Sequence, residues 1–178
     1  MQLSHLLFRI LATLSLAVLL AACSTRGDVA SQQYMTLELD GRSLVLPVSV
    51  TALAFGSARR VDTLSIGARE REDLQSQGFF FQINGRDLRP GTYSIGDGVV
   101  HVNYHGDTRG DADLVVYAAN QSLGMPFTVT LTAIGRDGVE GTFSGTLLRG
   151  GDGPEPELIT VSNGRFAARY HRDAGGDR

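Results

Sequence analysis

FTVTLTAIGRDGVEGTFSGTLL, residues 127–148, is the stretch that decides the fold. In its first arm Phe127, Val129, Leu131 and Ala133 fall on one side of an extended chain, and Thr128, Thr130 and Thr132 on the other. In the second arm Val139, Phe143 and Leu147 align, opposite Glu140, Thr142, Ser144 and Thr146. Side chains of a strand alternate with period two, so each arm predicts a strand with one buried and one watered face. Arg136-Asp137-Gly138 supplies the turn. Gly141 and Gly145 interrupt the apolar side, which predicts a bulge, a bend or a close neighbour there.

The same grammar runs outward in both directions. Period-two runs at 34–40, 43–53, 62–70, 79–84, 91–96, 99–105, 113–119, 127–135, 139–148 and 157–171 are punctuated by Gly, Asp and Asn. Asp40-Gly41 and Asn84-Gly85, like Asp137-Gly138, are dipeptides that close tight hairpins. No window repeats apolar residues at helical spacing; the best helical candidate, REREDLQSQ (69–77), is charged enough to be one turn or a loop. About ten short strands predict an all-β chain, a single antiparallel β-sandwich, with a closed calycin-like barrel as the alternative. The chain has no Trp, and its strands lack the aromatic girdles of an outer-membrane barrel.

The amino terminus is of another kind. Residues 10–20, ILATLSLAVLL, are an apolar run. As a helix it rises about 16 Å, too short for a hydrocarbon core of roughly 30 Å. Arg9 precedes it and small residues follow, as in a secretory signal peptide. The only cysteine, Cys23, closes the run Leu20-Ala21-Ala22-Cys23, and this run resembles the lipobox of bacterial lipoproteins. The resemblance implies cleavage between Ala22 and Cys23, and diacylglycerol carried on the Cys23 sulfur, the one side chain here nucleophilic enough for that transfer. Acyl chains contribute about 0.8 kcal/mol per buried CH₂, and stable anchoring takes more than one. Ser24, rather than Asp, follows the cysteine, which within that family implies the outer membrane, with the domain facing the periplasm.

The expected domains are therefore a removed signal peptide (1–22), a lipidated Cys23 with a polar tether (23–33), a β-domain (34–172) and a frayed tail (173–178). Residue counts fit a single core. Once Arg9 is gone, 15 Arg face 19 acidic residues and there is no Lys. The arginines are scattered, which excludes the concentrated basic stripe of a nucleic-acid binder. GVEGTFSGTL, the later LITVSNGRFAARY and the earlier GTYSI also resemble the carboxy half of uncharacterised bacterial lipoproteins, for which no catalytic or binding residues carry over.

Candidate sites weigh lightly. His101 and His105 lie four apart in a strand, about 13 Å, so a shared metal needs a third ligand from elsewhere. Asp107, Asp111 and Asp113 make an oxygen-rich loop that is a weak calcium candidate, since it lacks the EF-hand order. Thr-Arg-Gly-Asp occurs at 25–28 and 108–111, a coincidence of common residues. Ser144 in GTFSG does not match the G-x-S-x-G elbow. Phe79, Phe80 and Phe81 must divide between two faces, either as a strand covered on both sides or with one aromatic presented to a ligand or partner. The expected function is a non-enzymatic interaction or envelope-structural module. It would hold no cofactor, meet the membrane through its N-terminal lipid, and engage an envelope protein partner. The alternative is a small apolar-ligand carrier; a hydrolase with a site built from loops is a third, weaker reading.

Overall fold

The fold is that of a computed structural model, which describes residues 32–57, 60–96, 100–106, 115–150 and 156–171. The chain is all-β, and among the described residues the one short helical element is the 3₁₀ turn Gln121–Leu123, capped by the Asn120 side chain. Eleven strands follow in order: β1 (Tyr34–Leu39), β2 (Arg42–Leu46), β3 (Val48–Ser57), β4 (Arg60–Arg69), β5 (Gly78–Asn84) and β6 (Gly91–Ser94), then β7 (Val100–His105), β8 (Val116–Ala119), β9 (Phe127–Ile134), β10 (Gly138–Arg149) and β11 (Leu158–Tyr170).

These strands match the period-two runs, with one division. The run 43–53 is two strands because Pro47, which has no N–H for a ladder, stands between β2 and β3. Residues 70–77 form no helix. The buried hydroxyl of Ser76 lies 3.0 Å from the Arg71 carbonyl and 2.9 Å from that of Asp73, gathering the loop around itself.

All strands belong to one sheet, ordered β2-β1-β11-β3-β4-β5-β7-β8-β10-β9-β6, and a further pairing of β10 with β11 closes a ring of seven strands within it. Two junctions in the ring are thin. β11 meets β3 through Arg169↔Thr51 and Tyr170↔Ala52, and β10 meets β8 through Leu148↔Ala118 and Arg149↔Tyr117. Between these corners lie two longer antiparallel stretches, β2-β1-β11-β10-β9-β6 and β3-β4-β5-β7-β8. The β11–β3 contact is parallel, a departure from the wholly antiparallel expectation. It arises because β11 runs past the end of β1 and finds the edge of β3.

The two stretches face each other across a phenyl cluster. Phe79 on β5 stacks on Phe143 of β10 with centroids 5.0 Å apart, and Phe81 meets the edge of Phe166 on β11 at 5.2 Å. Phe127 on β9 completes the cluster against Phe79 and Phe143. All five side chains are buried in a continuous apolar core that includes Met35, Leu64, Ile66, Ile83, Val102, Leu131 and Leu147. The five rings therefore lie between the two stretches, within the core.

The deciding hairpin has the expected faces: Phe127, Val129, Leu131, Val139, Phe143 and Leu147 are buried, while Thr128, Thr132, Thr142 and Ser144 are exposed. The register slips between Glu140 and Gly141 against β9, and between Phe143 and Gly145 against β11, so both interrupting glycines sit at bulges. At Gly141 a Cβ would fall inside contact distance of the Thr130 carbonyl and of the Phe166 ring. Asp40-Gly41 closes β1 onto β2 with φ of 47° and 78°, the positive pair of a two-residue hairpin turn. Asn84-Gly85 does not close a hairpin. There Gly85 and Leu88 donate to the carbonyls of Asp62 and Val61, and the chain crosses to pair β6 with β9.

Gly141→Ala should destabilise the domain by about 1–3 kcal/mol, because backbone on one side and a packed ring on the other cannot both yield. Phe79→Ala should cost about 3–5 kcal/mol. Urea unfolding of the two variants checks both, with Thr128→Ala, on the exposed side of the same hairpin, expected to stay within about 0.5 kcal/mol of the parent.

Candidate functional site

Outward residues of β9, β10 and β11 build a polar cleft. Thr130 pairs with Thr142 across β9 and β10, and Thr128 pairs with Ser144. β6 extends the rows with Thr92 opposite Thr130 and Ser94 opposite Thr128, and the Oγ1 atoms of Thr92 and Thr130 are 2.9 Å apart. On the other side Thr142 pairs with Arg165 of β11, which pairs in turn with Thr36 of β1. Thr128, Thr130, Thr142, Ser144, Asn163 and Arg165 line a cleft of about 260 Å³, with Phe143 and Gly164 at its floor.

The cleft owes its shape to a bulge. Between the pairs Phe143↔Gly164 and Gly145↔Val161, Ser144 alone opposes both Ser162 and Asn163. Against β1, Asn163 and Gly164 likewise oppose Leu37 alone. Asn163 adopts φ 52°, a left-handed conformation that a non-glycine residue takes at some cost. The Glu38 carboxylate accepts from Asn163 Nδ2 at 2.9 Å and from Ser162 Oγ at 3.1 Å, holding the bulge in place. With its nitrogen held there, the Asn163 amide oxygen accepts no hydrogen bond among the described residues. Arg165 is exposed and makes no salt bridge among the described residues.

Ser144, set aside as a nucleophile, belongs to this cleft as one exposed hydroxyl in a row. Asn163 and Arg165 were missed. The available signal was Asn-Gly in the middle of the long period-two run 157–171, where a turn dipeptide marks a bulge, and bulges re-aim side chains.

The remaining candidates are dispersed. His101 and His105 share the outer face of β7, with Asn103 between them; His101 stands opposite Gln82, and His105 opposite Gly78 and Val116. Among the described residues no three His, Cys, Asp or Glu are grouped to hold a metal ion. Asp107, Asp111, Asp113, Ala22 and Cys23 lie outside the described residues. The three phenylalanines divide as Phe79 and Phe81 inward and Phe80 outward. Phe80 lies over Gly67 and Gly78, with the Arg69 guanidinium 5.1 Å from its centroid and His105 beside it at 5.5 Å.

A further polar group sits at the β8–β10 corner. Tyr117 donates to Glu157, whose other oxygen is 2.6 Å from Arg149. The Tyr117 hydrogen bond and then Arg149 hold the Glu157 carboxyl below its usual range. Burial and then Glu157 push the Tyr117 phenol up to about 12, and burial does the same to Tyr170.

Two pH effects follow. Both phenols hold their protons more tightly when folded, so their contribution to stability is intact below about pH 10 and is lost as pH rises towards 12. Tyrosinate absorbance should show them protonated at pH 11 for as long as the chain stays folded. His105 behaves oppositely: burial, then the Arg69 charge, lowers its pKa. The unfolded chain binds that proton more readily, so this group opposes folding as pH falls below about 6.5. Arg69→Gln should raise the His105 pKa in an NMR titration, and an unmoved value would leave burial as the whole cause.

No family model, curated protein or solved structure matches this chain, so its function is read from its own residues and their geometry.

Proposed function

We propose that this chain is a non-enzymatic envelope module, tethered to the outer membrane through lipid on Cys23 and facing the periplasm, where it engages an envelope partner at its surface. The carrying observation is the division of the domain: five phenyl rings fill the interior, while hydroxyl, amide and guanidinium groups gather on the outer face of β9, β10 and β11. Recognition through such a domain is superficial, which favours an interaction module over the apolar-ligand carrier. The anchor rests on Leu20-Ala21-Ala22-Cys23 and on the absence of any other thiol in the chain.

Anchor and interaction are tested separately. In the native envelope, labelled palmitate should enter the parent protein, and Cys23→Ala should take up none and accumulate as uncleaved precursor; labelling of that variant overturns the anchor. Photo-crosslinkers at Thr128 and Thr142 should capture a specific envelope component that crosslinkers at Arg136, in the β9–β10 turn, do not. Identical capture from both places, or a co-purified apolar small molecule, overturns the interaction reading.

A further inference from the structure

We propose that the cleft on β9, β10 and β11 binds a sugar bearing a carboxylate, with Arg165 pairing the acid and the threonine, serine and asparagine groups reading the hydroxyls. This deepens the interaction-module reading and rests on it, naming the chemistry of what that surface engages.

The donor and acceptor inventory points to this class. Arg165 offers a planar fork of donors that matches a carboxylate, and no described carboxylate occupies it. The nearest acid on the bulge, Glu38, is committed to Ser162 and Asn163. Glu140, two positions before Thr142 on the same side of β10, has an interaction of its own and does not line the cleft. The site therefore offers one positive charge at one end and neutral groups elsewhere.

Those neutral groups both donate and accept. Thr128, Thr130, Thr142 and Ser144 carry hydroxyls, and each can serve either role towards a polyol. Asn163 adds an acceptor fixed by Glu38. Their spacing follows the sheet, about 4.8 Å between strands and about 6.7 Å between alternate residues of one strand, which suits hydroxyls on non-adjacent ring carbons or on successive sugar rings. A volume of about 260 Å³ lies just below the roughly 300 Å³ where drug-sized pockets begin, room for a ring-sized group.

Phosphate is a poorer match. Phosphate sites gather backbone N–H groups at a turn or nest, or several cations. Here the lining is hydroxyl-bearing strand with a single guanidinium. The left-handed bulge at Asn163 sets its amide beside Arg165 at the cleft edge.

Full-length lipidated protein in detergent micelles should be titrated calorimetrically with four probes. These are a disaccharide containing N-acetylmuramic acid, a glucuronate-containing oligosaccharide, the N-acetylglucosamine disaccharide as neutral control, and inorganic phosphate. Saturable binding of an acidic sugar, at least about tenfold tighter than the neutral one, is expected. Which acidic probe binds tells a cell-wall glycan from an acidic exopolysaccharide. Arg165→Gln should weaken acidic-sugar binding at least about tenfold while leaving the neutral control unchanged. Thr142→Val should weaken it several-fold with no fall in melting temperature, since Thr142 is exposed and takes no part in the core. Equal affinity for neutral and acidic sugars, preference for phosphate, indifference to Arg165→Gln, or no binding of any probe overturns the proposal. In each of those cases specific crosslinking at Thr128 and Thr142 would leave the module reading standing with a different partner.

Discussion

Phe79 against Phe143, 5.0 Å between ring centroids, is the contact on which the rest of the domain depends. It joins β5 to β10 across the core, between stretches of sheet that otherwise connect only through short corners. A junction of a few backbone pairs cannot fix the relative position of two broad surfaces, whereas interlocked rings can. Aromatic pairs contribute about 0.5–1.5 kcal/mol beyond the area they bury. Phe127, Phe166 and Phe81 extend the same packing in three directions. The chain carries no second cysteine for a disulfide, so this packing does the work that a covalent crosslink does in many exported domains.

Packing so many rings into a thin core demands space elsewhere, and the glycines on the apolar side of β10 provide it. At Gly141 the ring of Phe166 lies where a side chain would begin, and Phe143 similarly crowds Gly164. Phe166, Phe127 and Phe143 are thus each matched by a glycine, at 141, 145 and 164. The bulges opposite Gly141 and Gly145 accompany that match: the extra residue lies in β9 at the first and in β11 at the second, and each bends its strand there. From this bend comes the concavity of the outer face. The inner requirement of packing five phenyl groups thus shapes the cleft that lies on the other side of the same strands.

Sequence made the hairpin 127–148 legible to the level of individual side chains, since alternation assigns every residue to a face once the strand is recognised. The glycines predicted a disturbance where one exists. What alternation could not supply was pairing between strands distant in the chain. That β6 would leave β5 and join β9, or that β11 would touch both β1 and β3, depends on three-dimensional packing that no local pattern records. Asn84-Gly85 shows the limit clearly: its composition suits a hairpin, but its hydrogen bonds go to Asp62 and Val61. The cleft was legible in part. Thr128, Thr130, Thr142 and Ser144 were assigned to the outer face, but their meeting with Asn163 and Arg165 required the register of β10 on β11.

Core and cleft make different demands on the same strands, and this bears on how the surface chemistry is specified. Residues 127, 129 and 131 are locked by burial, so substitutions there are felt throughout the fold. Thr128, Thr142 and Ser144 lie in water and contribute little to packing, and β-branched or small polar residues of many kinds would satisfy the strand equally well. Stability alone therefore does not require a row of hydroxyls beside an exposed arginine. Asn163 is a different case: glycine would meet the backbone requirement at less cost but would forgo the hydrogen bond to Glu38. Its side chain is tied to Glu38 across the bulge, and that bond fixes the amide at the edge of the cleft that Arg165 also lines.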